Sequence, residues 1–135
     1  MTLVIDTGVL VAAARPAEPD HDSCRGLLET TTERRMVPAP VLVEVECFMR
    51  EDPAWEALLD DLIAGGLDVA ELTAGDYERV RDIMRQHRDL RVGLVNAAVL
   101  AVVERLGEDK LATLDRRRFA VMRPAHISSL RLLPD

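Results

Sequence analysis

Apolar positions along the chain fall into two kinds of segment: short runs of strand length, and longer stretches with helical spacing. Leu3-Val4-Ile5 is apolar and largely β-branched, and it ends abruptly in Asp6-Thr7. That is the pattern of a buried strand delivering a carboxylate at its C-terminal end. Gly8 to Ala14 reads as a short apolar helix, which Asp6 is equally suited to cap. Two prolines make Arg15 to Asp20 a loop. A helix is expected from about Asp22 to Thr30, with Cys24, Leu27 and Leu28 on one buried face. Arg35 to Pro38 is a short strand, and Val41 to Met49 is a helix carrying Glu44 and Glu46 among apolar residues.

Asp52-Pro53 starts the next helix, an N-cap followed by proline at the first helical position, with Trp55, Leu58, Leu59, Leu62 and Ile63 at helical spacing. Gly65-Gly66 ends it. Leu67 to Leu72 alternates as a strand, and Thr73 caps a helix with an expected buried face of Tyr77, Val80, Ile83 and Met84. His87 to Arg91 is polar loop. Leu94 to Leu106 is apolar nearly all round, so it reads as a central helix covered on most sides and stopped by Gly107. Lys110 to Asp115 repeats the opening pattern, a short apolar strand that terminates in an acid. Arg116 to Phe119 reads as a turn, with Val121-Met122 as a last strand.

Strands alternating with helices imply βαβ crossovers, and so an α/β fold with a mainly parallel sheet and helices on both faces. At 135 residues the chain fits one domain, 1–135, large enough to bury a core without disulfides. Cys24 and Cys47 have no metal or redox spacing and are expected as reduced core residues. No apolar stretch is long enough to span a bilayer, and Met1-Thr2-Leu3 lacks the basic start of a signal peptide, so the expected compartment is the cytoplasm. The net charge of −7 argues against indiscriminate nucleic-acid binding. Its distribution changes that picture. Residues 1–77 hold 5 basic and 16 acidic side chains, whereas 78–135 hold 12 basic and 8 acidic, so a basic patch can form from the second half.

In a parallel sheet the C-terminal strand ends share one edge, where ligand sites form. Asp6 and Asp115 sit at such ends, Glu44 lies in a helix that follows a strand, and Asn96 comes early in its own helix. Glu46, two positions from Glu44, points the other way. Carboxylates gathered at one edge need a counter-charge, and oxygen-only ligands favour Mg²⁺ or Mn²⁺ over zinc. The matching chemistry is metal-assisted phosphodiester hydrolysis. Asn96 is also a favoured N-cap type, and Arg116, Arg117 and Arg118 are either a solvated run or donors to substrate phosphates. Motifs of nucleotide cofactors, zinc peptidases and serine hydrolases are missing.

Val4-Ile5-Asp6-Thr7, Val37 to Val45, Gly93 to Ala98 and Ala112 to Phe119, taken in order, resemble the motifs of PIN-domain ribonucleases, most of all VapC-type toxins of bacterial toxin–antitoxin pairs. The resemblance implies a PIN-like three-layer α/β/α sandwich and a Mg²⁺-dependent endoribonuclease acting on structured RNA such as tRNA or rRNA. It further implies a homodimer silenced by a cognate antitoxin. By position, the family's metal-binding and catalytic acids fall on Asp6, Glu44 and Asp115, and its remaining aspartate on Asn96. There the chain departs from the pattern. An amide oxygen can touch a cation but contributes no full charge, so weakened or absent catalysis is expected. A non-catalytic RNA- or antitoxin-binding module is the alternative.

Overall fold

The computed structural model describes residues 1–135. Five strands, β1 (Thr2–Ile5), β2 (Arg34–Pro38), β3 (Asp68–Ala70), β4 (Lys110–Ala112) and β5 (Arg131–Leu133), form one sheet in the order β3-β2-β1-β4-β5. Every pairing is parallel. Successive strand residues face opposite sides of a sheet, yet Leu3, Val4 and Ile5 are all fully buried. The central strand is therefore covered on both faces, as an uninterrupted apolar run requires.

Seven helices provide the cover: α1 (Thr7–Ala14), α2 (His21–Thr30), α3 (Ala39–Met49), α4 (Pro53–Ala64), α5 (Ala74–Gln86), α6 (Leu94–Leu106) and α7 (Arg116–Val121). Residues Ala97 to Val103 of α6 are all buried, and α6 packs on α3, α5, β1 and β2. It is the central helix that its all-round apolar sequence predicts. Local sequence sets several helix ends. Asp52 caps α4 through its Ala54 amide, Thr73 and Asp76 close a reciprocal capping box on α5, and Gly65 and Gly107 take left-handed conformations (φ 85° and 68°) that end α4 and α6.

Several sequence expectations need correction. Arg116 to Phe119 is no turn but the start of α7, and Val121-Met122 closes that helix instead of forming a strand; the last strand is β5. Asp115 causes this, because its side chain accepts from the Arg118 amide and nucleates a helix where consecutive arginines suggested exposed coil. Arg88–Leu90, inside the expected loop, is a single 3₁₀ turn. Cys47 is exposed while Cys24 is buried. Tyr77, Met84, Leu59 and Ile63 are exposed although their spacing continues a buried face, whereas Val80, Ile83 and Leu58 on the same turns are buried, so the covered stripe of α4 and α5 is narrower than the apolar one. No helix is long and apolar enough to cross a membrane.

Candidate active site

The chain runs outward from β1 to β2 and β3, then returns to build β4 and β5 on the other side of β1. The strand order thus reverses between β1 and β4, and the crevice outside the C-terminal ends of these two strands is the natural binding position of the fold. A cavity of about 680 Å³ opens there, lined by 13 residues that include Asp6, Thr7, Glu44, Asn96, Asp115 and Arg118. The three acids and the asparagine singled out by sequence meet in one place.

Asp6 is the most deeply held. It follows β1 directly, its amide donates to the Ala112 carbonyl of β4 (2.9 Å), and its side chain is 5% exposed. Its Oδ1 accepts from the Thr7 amide (2.8 Å) and its Oδ2 from the Thr113 hydroxyl (2.8 Å). The helix-cap reading and the site reading of Asp6 are therefore compatible: one oxygen caps α1 and the other belongs to the crevice. Burial pushes the Asp6 carboxyl above its ordinary value, against the two hydrogen bonds, and the charges of Glu44 and Asp115 push it further.

Thr113 ties the two strand ends together. Fully buried, it donates to Asp6 and accepts from the Asp115 amide (3.0 Å), so one hydroxyl positions both acids. Sequence reasoning did not single it out. Its only local signal is a polar residue at the buried end of an apolar strand, two positions before an acid.

Asp115 caps α7 and carries three donors. Oδ1 accepts from the Arg118 amide (3.4 Å), and Oδ2 from Arg118 Nη1 (3.0 Å) and Asn96 Nδ2 (3.3 Å). Asn96 is the third residue of α6, whose N-cap is Gly93, so the capping alternative for Asn96 does not hold. Glu44, half-buried on α3, lines the crevice, while Glu46 turns away to pair with Arg50 (3.2 Å). Of the three consecutive arginines only Arg118 reaches the crevice. Arg117 lines a neighbouring cavity, and Arg116 donates to the Pro134 carbonyl. Helical spacing separates them: the arginines sit about 100° apart around α7, so they cannot share a face.

No three His, Cys, Asp or Glu side chains approach closely enough to make a preassembled metal cage. The donor set nevertheless suits a hard cation that keeps several waters and needs few carboxylates, since Asp6, Glu44 and Asp115 offer oxygens around one open cavity. A second feature fits the same place. Thr7 Oγ1, beside Asp6, is the one buried side-chain polar atom without a hydrogen-bond partner. Asn96 fits less well, because its amide nitrogen is turned to Asp115.

Comparison with known proteins finds relatives of this chain and of its fold. The chain is similar to ribonuclease VapC26 of Mycobacterium tuberculosis, with 27% identity over 135 residues that cover 98% of this chain and 100% of that protein. Among solved structures it resembles M. tuberculosis VapC20, described as a sarcin-ricin loop cleaving toxin, with a TM-score of 0.77 at 18% identity over 93% of this chain and 98% of that one. It also resembles a chain of a toxin–antitoxin complex from Klebsiella pneumoniae, with a TM-score of 0.68 at 16% identity over 87% and 90% of the two chains. At those identities the structures speak for the fold. The model of the PIN domain matches residues 3–123, nearly the whole chain, and this protein belongs to the PIN-domain family.

Proposed function

We propose that this chain is an endoribonuclease of the VapC toxin type, dependent on Mg²⁺ or Mn²⁺, that hydrolyses phosphodiester bonds in structured RNA of the tRNA or rRNA class. The observation that carries the proposal is the meeting of Asp6, Glu44, Asn96 and Asp115 in one crevice at the β1/β4 switch point. The relative named as a ribonuclease, similar over nearly the full chain, supports it.

Asp6, Glu44 and Asp115 would hold the cation, with the Asn96 amide beside them. When bound, the cation would offset charge on the scissile phosphate and favour loss of a proton from a water, making that water nucleophilic enough to attack. The protein's own part is orientation. Thr113 holds the Asp6 side chain and the Asp115 backbone amide through two hydrogen bonds, and α1 and α7 each begin on one of these acids, so neither carboxylate can swing without uncapping a helix. Glu44 is in none of the chain's ion pairs, which leaves its carboxylate available to a ligand or a water.

The reading includes a cognate antitoxin, a second copy of this chain, and action in the cytoplasm. The toxin–antitoxin complex among the structural neighbours supports the first. Val43, Phe48, Tyr77 and Leu94 leave apolar surface for partners to cover. Asn96 favours a second reading, a weakened or inactive nuclease that binds RNA or antitoxin without cutting, since Asp115 already accepts two side-chain donors where a cation would sit. RNA cleavage by this chain and its Asn96→Asp variant, with Mg²⁺ and with EDTA, tests both. A variant that cuts only with Mg²⁺, beside a slow or silent parent, supports the enzyme. A variant that cuts nothing leaves the binding module.

A further inference from the structure

Next to the acidic crevice lies a second cavity, of about 270 Å³, lined by Asp89, Leu90, Arg91, Arg117 and Arg118. The two are contiguous, because Arg118 is a wall of both: its Nη1 faces Asp115 and its Nε donates to the Leu90 carbonyl (3.3 Å). Three guanidinium groups against the single carboxylate of Asp89 leave the smaller cavity positive. Arg118 is committed to Asp115, whereas the ion pairs of the chain include neither Arg91 nor Arg117. Both are exposed.

Arg91 has a further peculiarity. It is the one non-glycine residue with positive φ, at φ 53° and ψ 46°, where the chain leaves the 3₁₀ turn and bends toward α6. Glycine suits that conformation, and a residue with a Cβ is penalised in it. A non-glycine residue held there points to a use for its side chain.

We propose that this cavity is a phosphate subsite of the RNA backbone. It takes a phosphate next to the one placed over Asp6, Glu44 and Asp115, with Arg91 and Arg117 as its free donors and Arg118 dividing the two positions. The inference rests on the ribonuclease reading and adds to it where the neighbouring phosphate is held. An acidic crevice on a chain of net charge −7 repels a polyanion, so attraction has to come from an adjoining basic site. Arginines that hold phosphate fix the register of the strand without reading bases. The positive excess of the second half of the sequence is thereby given a place.

The test is binding of fluorescently labelled bulk tRNA in EDTA, followed by anisotropy from 50 to 200 mM salt on the order of the usual range for such measurements. Arg91→Gly and Arg117→Ala should each weaken binding about tenfold and reduce the slope of log K against log salt by about 1. Arg91→Lys should keep most of the slope, and Arg25→Ala, which removes a positive charge from α2 away from both cavities, should change neither quantity. Because glycine is at home at the left-handed position, Arg91→Gly should unfold at the same temperature as the parent or higher, so its weaker binding cannot come from a damaged fold. Parent-like affinity and slope in Arg91→Gly and Arg117→Ala would overturn the subsite alone. A parent chain that binds no tRNA anywhere in the range overturns the ribonuclease reading and the subsite with it.

Discussion

Replacing Asn96 by aspartate puts a carboxylate where an amide nitrogen now donates to Asp115 at 3.3 Å. Two unit charges at that separation repel by about 1 kcal/mol in water and about 5 kcal/mol at the effective dielectric of a site near a protein surface. Arg118, 3.0 Å from the same Asp115 oxygen, offsets part of this, so the metal-free variant should be less stable by about 2 kcal/mol. For a domain of this size that is a drop of roughly 8 °C in melting temperature. A cation that satisfies both carboxylates should remove the penalty. Thermal unfolding of parent and Asn96→Asp proteins in EDTA and in excess Mg²⁺ measures both effects. The variant should melt lower in EDTA and recover strongly with Mg²⁺, while the parent responds weakly. Equal melting of the two proteins in EDTA, or a variant indifferent to Mg²⁺, would refute the claim that position 96 faces Asp115 across a cation site.

Three other predictions rest on neighbouring residues. The Asp6 carboxyl is raised above 3.8 by burial, so as pH rises through its folded value the ionised form costs stability, and that stability is fully regained only below the unfolded value; metal-free Asp6→Asn should show a flatter stability–pH curve over this window in denaturant titrations. Thr113→Val should cost about 2 kcal/mol, because it leaves Oδ2 of Asp6 without its donor and the Asp115 amide without an acceptor, whereas Thr7→Val should not lower stability, since the Thr7 hydroxyl has no partner to lose. Equal losses for the two in chemical denaturation would contradict the hydrogen-bond assignment. A thiol reagent should modify exposed Cys47 in the folded protein and reach Cys24 only after unfolding, because Cys24 is buried and burial raises its thiol pKa; mass spectrometry of the labelled peptides decides this.

Much of the architecture was legible because it depends on local chemistry. The apolar run Leu3-Val4-Ile5 needs cover on both faces, and only a central strand between helix layers supplies it. The caps at Asp52 and Thr73 and the stops at Gly65 and Gly107 act within a few residues of themselves. The errors gathered where distant elements decide. Tyr77 and Met84 continue a helical stripe, but the stripe outruns the surface that α6 offers it. The last strand, β5 (Arg131–Leu133), has little local signal, because it is short and at most half-buried and becomes a strand by pairing with β4, so Val121-Met122 carries the stronger strand pattern.

The site divides along the same line. The sequence by itself determined that acids follow the first and fourth strands, that Glu44 and Glu46 point apart, and that position 96 carries an amide, since helical and strand periods assign relative direction from order alone; β4 itself stops at Ala112, three residues before Asp115. Only the tertiary structure decided that β1 and β4 are neighbours, that Thr113 joins Asp6 to Asp115, and that Arg116, Arg117 and Arg118 part company around α7. It also brought Arg91 beside Arg117. The β1–β4, Asp6–Thr113 and Arg91–Arg117 pairings join residues far apart in sequence, and what selects them is the packing of the sheet and its helices as one body, which no local pattern encodes.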